Sequence, residues 1–136
     1  MSPVGETRDA GWQIGVRRTH PHELEHVWAT LLSPAGLAVW LGPGAQLGDE
    51  PGDAYATDDG ISGELRSLRS GDRMRLTWRP AARDEPTIVQ LTVRPAASGT
   101  TLGIHQERLA DADEREAMRR RWAAIQERLA ELLAAD

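Results

Sequence analysis

At 136 residues the chain has the length of one domain, enough to bury a core without disulfides or a structural metal. It has no cysteine, which excludes disulfide staples, thiolate metal sites and cysteine nucleophiles, and leaves the cytoplasm as the default compartment. A net charge of −5 argues against a general nucleic-acid binder, which needs surplus cations on one face.

Every basic side chain other than histidine is arginine, and lysine, asparagine and phenylalanine are missing, a bias that a GC-rich genome explains without function. Aromatic weight falls on Trp12, Trp28, Trp40, Trp78 and Trp122, each able to bury about 150–250 Å².

Residues 1–10 are polar, with no apolar run for a signal peptide or membrane span, and are expected to form a disordered tail before a single domain over 11–136. Trp12, Ile14 and Val16 alternate with polar neighbours, the period of a half-buried strand. Pro21 fits the first position of a helix whose apolar face is Leu24, Val27, Trp28 and Leu31. Ser33 and Pro34 then cap and open a short helix through Trp40. Between Gly42 and Gly60, turn residues dominate, with brief strands expected at 45–48 and 53–57.

Four alternating runs follow: Ile61, Gly63 and Leu65; Met74, Leu76 and Trp78; Val89, Leu91 and Val93; Leu102 and Ile104. Hairpin-length breaks separate them, so the arrangement is an antiparallel meander with one wet face. Met118, Trp122, Ile125, Leu129 and Leu132 then recur on one face of a long helix over 111–136. Asp111 and Glu114 have capping-box spacing, and Glu116 with Arg120 forms a helical ion pair.

The segment HELEHVWATLLSPAGLAVWLGPG, residues 22–44, resembles the first-helix signature of the SRPBCC (START-like) superfamily, especially the family of the C-terminal domain of the activator of the heat-shock-protein-90 ATPase. The pair Val27-Trp28, the link Ser33-Pro34 and Trp40 carry the likeness. Gly52, Gly63-Glu64-Leu65, Leu76-Thr77-Trp78, the Gly99 to Leu102 turn and Trp122 extend it over roughly Trp12 to Leu133. The resemblance implies an α+β helix-grip fold: a curved antiparallel sheet of six to seven strands, two short helices after the first strand, and a long C-terminal helix across the sheet. It also implies a cavity between sheet and helix that admits a small apolar ligand in many relatives.

On this chain the cavity would be lined by Trp40, Tyr55, Leu65, Leu76, Trp78, Leu91, Ile104, Gln106, Met118, Trp122 and Ile125. The expected role is therefore a non-enzymatic, small-ligand-binding or regulatory module. The alternative is a co-chaperone-like protein-interaction module, monomeric or homodimeric, and a cyclase or hydrolase is a third, less favoured reading. No catalytic residue, metal or cofactor is assigned.

Two motifs bear on this reading. His22, Glu23 and His26 match the H-E-x-x-H string of zinc proteases. The apolar face of that helix is centred about 190° from His22, whereas Glu23 lies at about 100° and His26 at about 40°, so the histidines point away from the core. Only Asp49 and Glu50 offer themselves as a third ligand, and the string is read as a solvated helix face.

By alternation, His105 and Glu107 face outward as a surface pair, while Gln106 points inward and needs a partner, a neighbouring backbone group or Tyr55 if not a ligand. Arg119, Arg120 and Arg121 are read as a solvated, partly neutralised basic patch, and the acidic loop over 49–59 is given no metal role.

Overall fold

The computed structural model describes Glu6–Thr7 and residues 11–135. Its elements run β1 (Glu6–Thr7), β2 (Gly11–His20), α1 (Leu24–Leu32), α2 (Pro34–Trp40), β3 (Ala54–Ala56), β4 (Ile61–Arg69), β5 (Arg73–Pro80), β6 (Thr87–Ala96), β7 (Gly99–Leu109) and α3 (Ala112–Ala135). One antiparallel sheet has the order β1-β2-β7-β6-β5-β4-β3. The meander β3 to β7 is joined by hairpins, and the first long strand, β2, returns to pair with the last, β7. This is the helix-grip architecture expected from the sequence. The tail expected over 1–10 lies outside the described residues, except that Glu6 and Thr7 pair with Trp12 and Gly11.

Alternation decides which face is dry. Ile14, Ile104, Leu91, Met74, Leu76 and Leu65 point to one side and are buried. Val16 pairs with Ile104, Ile104 with Leu91, Leu91 with Met74, and Leu76 with Leu65, so one layer of apolar side chains crosses the sheet. On that layer lies α3, burying Trp122, Ile125, Gln126, Leu129 and Leu133. Met118 and Leu132, on the flanks of the expected stripe, are half-buried. The helix starts as its sequence requires: Glu114 N donates to Asp111 Oδ1 at 2.7 Å, and the Glu114 carboxylate accepts from Ala110 N at 2.8 Å. Arg83, from the β5–β6 turn, clamps the same carboxylate at 3.0 and 3.1 Å.

Two local expectations are corrected, and the last strand ends irregularly. Helix α1 begins at Leu24 with Glu23 at its N-cap, so Pro21 lies in the extended entry and not in the first turn. No strand forms at 45–48, where the chain runs irregularly past Gly44, and only the second brief strand exists, as β3. At the end of β7, Arg108 adopts φ 68°, opposite a register shift between Trp12 and Ile14. This irregularity buries Leu109, which simple alternation after Gln106 would have placed outside.

Gly63 on β4 has a specific structural role. A Cβ there would stand 2.0 Å from the Thr77 carbonyl oxygen. Its cross-strand partner is Tyr55 of β3, whose hydroxyl donates to that same carbonyl, on β5, at 2.6 Å. The ring thus reaches across β4 where β4 has no side chain. Among the described residues no helix is long and apolar enough to cross a membrane.

Candidate functional site

All residues of the expected lining are buried except the half-buried Met118. They pack against one another: the rings of Trp78 and Trp122 lie 6.2 Å apart, tilted by 56°. Their polar atoms are largely tied together. The Trp122 indole donates to Gln106 Oε1 at 2.8 Å, the Gln106 amide donates to Thr87 Oγ1 at 2.9 Å, and the Thr87 hydroxyl donates to the Trp78 carbonyl at 2.8 Å. The inward Gln106 thus finds Trp122 and Thr87, not Tyr55. Burial pushes the Tyr55 phenol well up, fixing it as a hydroxyl donor. Trp40, from α2, gives its indole hydrogen to the Leu31 carbonyl at 2.8 Å.

A second polar pair was not singled out from the sequence. His20 and Gln126 are both buried, with His20 Nε2 2.8 Å from Gln126 Oε1. The Gln126 amide donates to the Leu102 and Val16 carbonyls at 2.9 and 3.4 Å, so its oxygen must accept and His20 must carry its proton on Nε2. His20 Nδ1 has no hydrogen-bond partner among the described residues, and burial draws the ring's pKa down. The signal was available: His20 has the parity of Ile14 and Val16, and Gln126 lies one turn beyond Trp122.

The zinc-protease string lies at the entry to α1. Glu23 caps α1 from outside, His22 precedes it, and the His22 and His26 rings meet edge to face at 5.3 Å. His26 Nε2 donates to the Leu133 carbonyl at 3.2 Å, which ties α1 to the end of α3. Among the described residues no group of three or more metal-ligating side chains comes together. On the outer face of the sheet, His105 bonds Gln13 at 2.8 Å and Glu107 pairs with Arg75 at 2.7 Å. Burial lowers the pKa of His105, with Glu107 opposing and Arg75 adding to the shift.

The arginine run divides. Arg119 grips Glu116 at 2.6 and 2.9 Å, and Arg120 approaches the same carboxylate at 3.4 Å, both on the solvated face expected for them. Arg121 departs from that expectation, because it turns inward under the helix, its guanidinium carbon 5.2 Å from the Trp78 ring centroid and 5.7 Å from that of Trp122.

Beside Arg121 a recess of about 260 Å³ opens where α2, the turn at Gly42 and Pro43, and α3 meet. Ala38, Val39, Pro43, Ala124 and Ile125 give it apolar walls, and Arg121, Arg128 and Asp59 supply charge. Gly42 sits there at φ 148°, where a side chain would press to 2.8 Å of Thr57. Of the expected lining only Ile125 reaches this recess. Tyr55 borders a shallower hollow along β3 to β5, and Ile104 borders one on the outer face with Gly15 and Gly103.

An antiparallel sheet in which the first long strand pairs with the last, gripping one long helix, defines the helix-grip class of domain. Within it the chain belongs to the family described as activator of Hsp90 ATPase homolog 1-like protein, whose model matches residues 21–134. Solved structures with the same fold include protein MLL2253 from Mesorhizobium loti, 24% identical with a TM-score of 0.77 over 90% of this chain and 97% of that one. Protein CV1439 from Chromobacterium violaceum is 27% identical with a TM-score of 0.73, over 91% and 99% of the two chains. CalU16 from Micromonospora echinospora is 17% identical with a TM-score of 0.79, over 94% and 81%. No curated protein matches the chain in sequence.

Proposed function

We propose that this chain is a non-enzymatic module that binds a small, largely apolar molecule in the recess where α2, the turn at Gly42 and Pro43, and α3 meet, and acts as a carrier or regulator. The observation that carries the reading is the recess of about 260 Å³ beside α3, walled by Val39, Pro43, Ala124 and Ile125. Concave, mostly apolar sites with a few placed polar groups are the usual form of small-molecule sites. In this reading Trp40, Trp78 and Trp122 form the packed wall behind the site and Ile125 its floor. The buried polar residues support the same view, since Gln106, Thr87 and Gln126 are spent on structural hydrogen bonds.

A ligand that binds only the native state raises its unfolding temperature by mass action. A thermal-shift panel of hydrophobic metabolites and lipids should therefore contain compounds that raise the melting temperature of the wild type and not of Ala124→Trp, in which an indole fills the recess. A panel without any such shift would sink the reading.

A second reading, a co-chaperone-like protein-interaction module, draws on the outer face of the sheet. There Gly15 and Gly103 leave a hollow of about 230 Å³ bounded by Arg17, Gln90, Thr92 and His105. It predicts stimulation of a purified heat-shock-protein-90 ATPase that is lost in Gly103→Trp. An unchanged ATPase rate with wild type counts against it.

A further inference from the structure

Arg121 and Arg128 stand seven residues apart on one face of α3 with Ile125 between them, and all three border the recess. Arg121 packs against two indoles and, among the described residues, enters no ion pair. Its Nε and the Nε1 of Trp78, two buried donors on neighbouring side chains, have no hydrogen-bond acceptor among the described residues. Burial lowers the Arg121 pKa, the charge of Asp59 opposes the shift and that of Arg128 adds to it. The remaining carboxylate on the rim, Asp59, is exposed and accepts a hydrogen bond from Thr57. Two cations against one carboxylate make this recess locally positive on a chain whose net charge is −5.

We propose that the recess selects an organic carboxylate: the carboxylate engages Arg121 and Arg128, and a short apolar body lies against Val39, Pro43, Ala124 and Ile125. This rests on the small-molecule reading above and names the ligand class for it. A guanidinium presents parallel N–H donors that match a carboxylate's two oxygens, and contact with two indoles restrains it. Size sets the body. At about 30 Å³ per water-sized group, 260 Å³ accommodates roughly nine non-hydrogen atoms, the scale of a medium-chain or single-ring acid.

The test compares octanoate with octanamide, which share a chain and differ in charge, by calorimetric titration of the full chain. Octanoate should bind roughly tenfold or more tightly than octanamide, the range of a charge-assisted hydrogen bond. Arg121→Gln and Arg128→Gln should each reduce that preference toward unity, while Asp59→Asn strengthens octanoate binding. Because Arg121 is packed, its variant could lose folding; Arg128 is exposed, so Arg128→Gln keeps the test decisive.

Equal binding of the two probes, blocked by Ala124→Trp, overturns the carboxylate inference and leaves the small-molecule reading standing. An undiminished preference in Arg128→Gln also overturns it. If neither probe binds, the inference falls, and the small-molecule reading falls with it when the wider thermal-shift panel is silent too.

Discussion

Trp122 contributes to stability twice, through a fully buried ring and through the hydrogen bond its indole gives to Gln106. The two contributions separate by mutation. Trp122→Ala should cost about 3–5 kcal/mol in urea unfolding, as expected for truncating a packed aromatic. Trp122→Phe keeps most of the ring but strands Gln106 Oε1, a buried acceptor, at a cost of about 1–3 kcal/mol. A loss near 1 kcal/mol for the alanine variant would instead mark the ring as the wall of an adaptable space.

His20 sets a second test, in pH. Burial holds its folded pKa below the ordinary 6.5, against the pull of the Gln126 hydrogen bond, with Arg18 and His22 pushing it lower still. Between the folded pKa and about 6.5 the unfolded chain therefore binds a proton that the native state refuses. Stability is full above about 6.5 and falls as the solution is acidified through that window, then levels below the folded pKa. His105, shifted the same way, adds to the same slope. His20→Gln should remove up to one proton's share of the slope, about 1.4 kcal/mol per pH unit, in pH-resolved denaturation curves. An unchanged slope would show that His20 does not stay neutral.

At the scale of elements, the strands were legible because each lies half in water: alternation in β4 to β7 is a direct imprint of one wet and one dry face. The same signal was weak where the ladder is irregular. Arg108 at φ 68° reverses the parity that placed Gln106 correctly, so Leu109 was missed. In α1 the apolar face was read correctly, but the start was not, because Pro21 offered a plausible first turn and Glu23 an unremarkable cap. Arg121 was misread for a different reason. A run of three arginines looks uniform in sequence, and only packing against Trp78 and Trp122 distinguishes the third.

A tight coupling between elements lies at Gly63, where β3, β4 and β5 meet. Gly63→Ala drives a methyl to within 2.0 Å of the Thr77 carbonyl and displaces the Tyr55 hydroxyl that bonds it. It should destabilise by ~3 kcal/mol, the upper part of the usual overpacking range. Tyr55→Phe in the glycine background isolates the hydrogen bond. If Gly63→Ala is neutral in thermal unfolding, the strand has room to shift and the crowding argument fails.

For the whole molecule the question is what keeps a curved sheet with one dry face from existing alone. The dry face presents Ile14, Met74, Leu76, Leu91, Leu102 and Ile104, all buried only because α3 or α1 and α2 lie over them. An uncovered apolar layer of this extent recruits another surface or collapses. The helix depends on the sheet in turn: in isolation, 24 residues with an Ala- and Arg-rich stripe would be only partly helical. Three polar clasps sit among these apolar contacts: Trp122 with Gln106, Gln126 with the Leu102 and Val16 carbonyls, and Arg115 with the Gln13 carbonyl at 2.8 Å. These fix the helix's register along β2 and β7. A chain ending at Ala110 loses all of them together with the cover. It should retain strand signal in far-ultraviolet circular dichroism, lose the near-ultraviolet tryptophan bands, bind anilinonaphthalene sulfonate and melt without a cooperative heat-absorption peak. Adding residues 111–136 as a separate peptide should restore the cooperative peak if burial of the dry face is what α3 supplies. A truncated chain that melts cooperatively by itself would show that the sheet carries its own core.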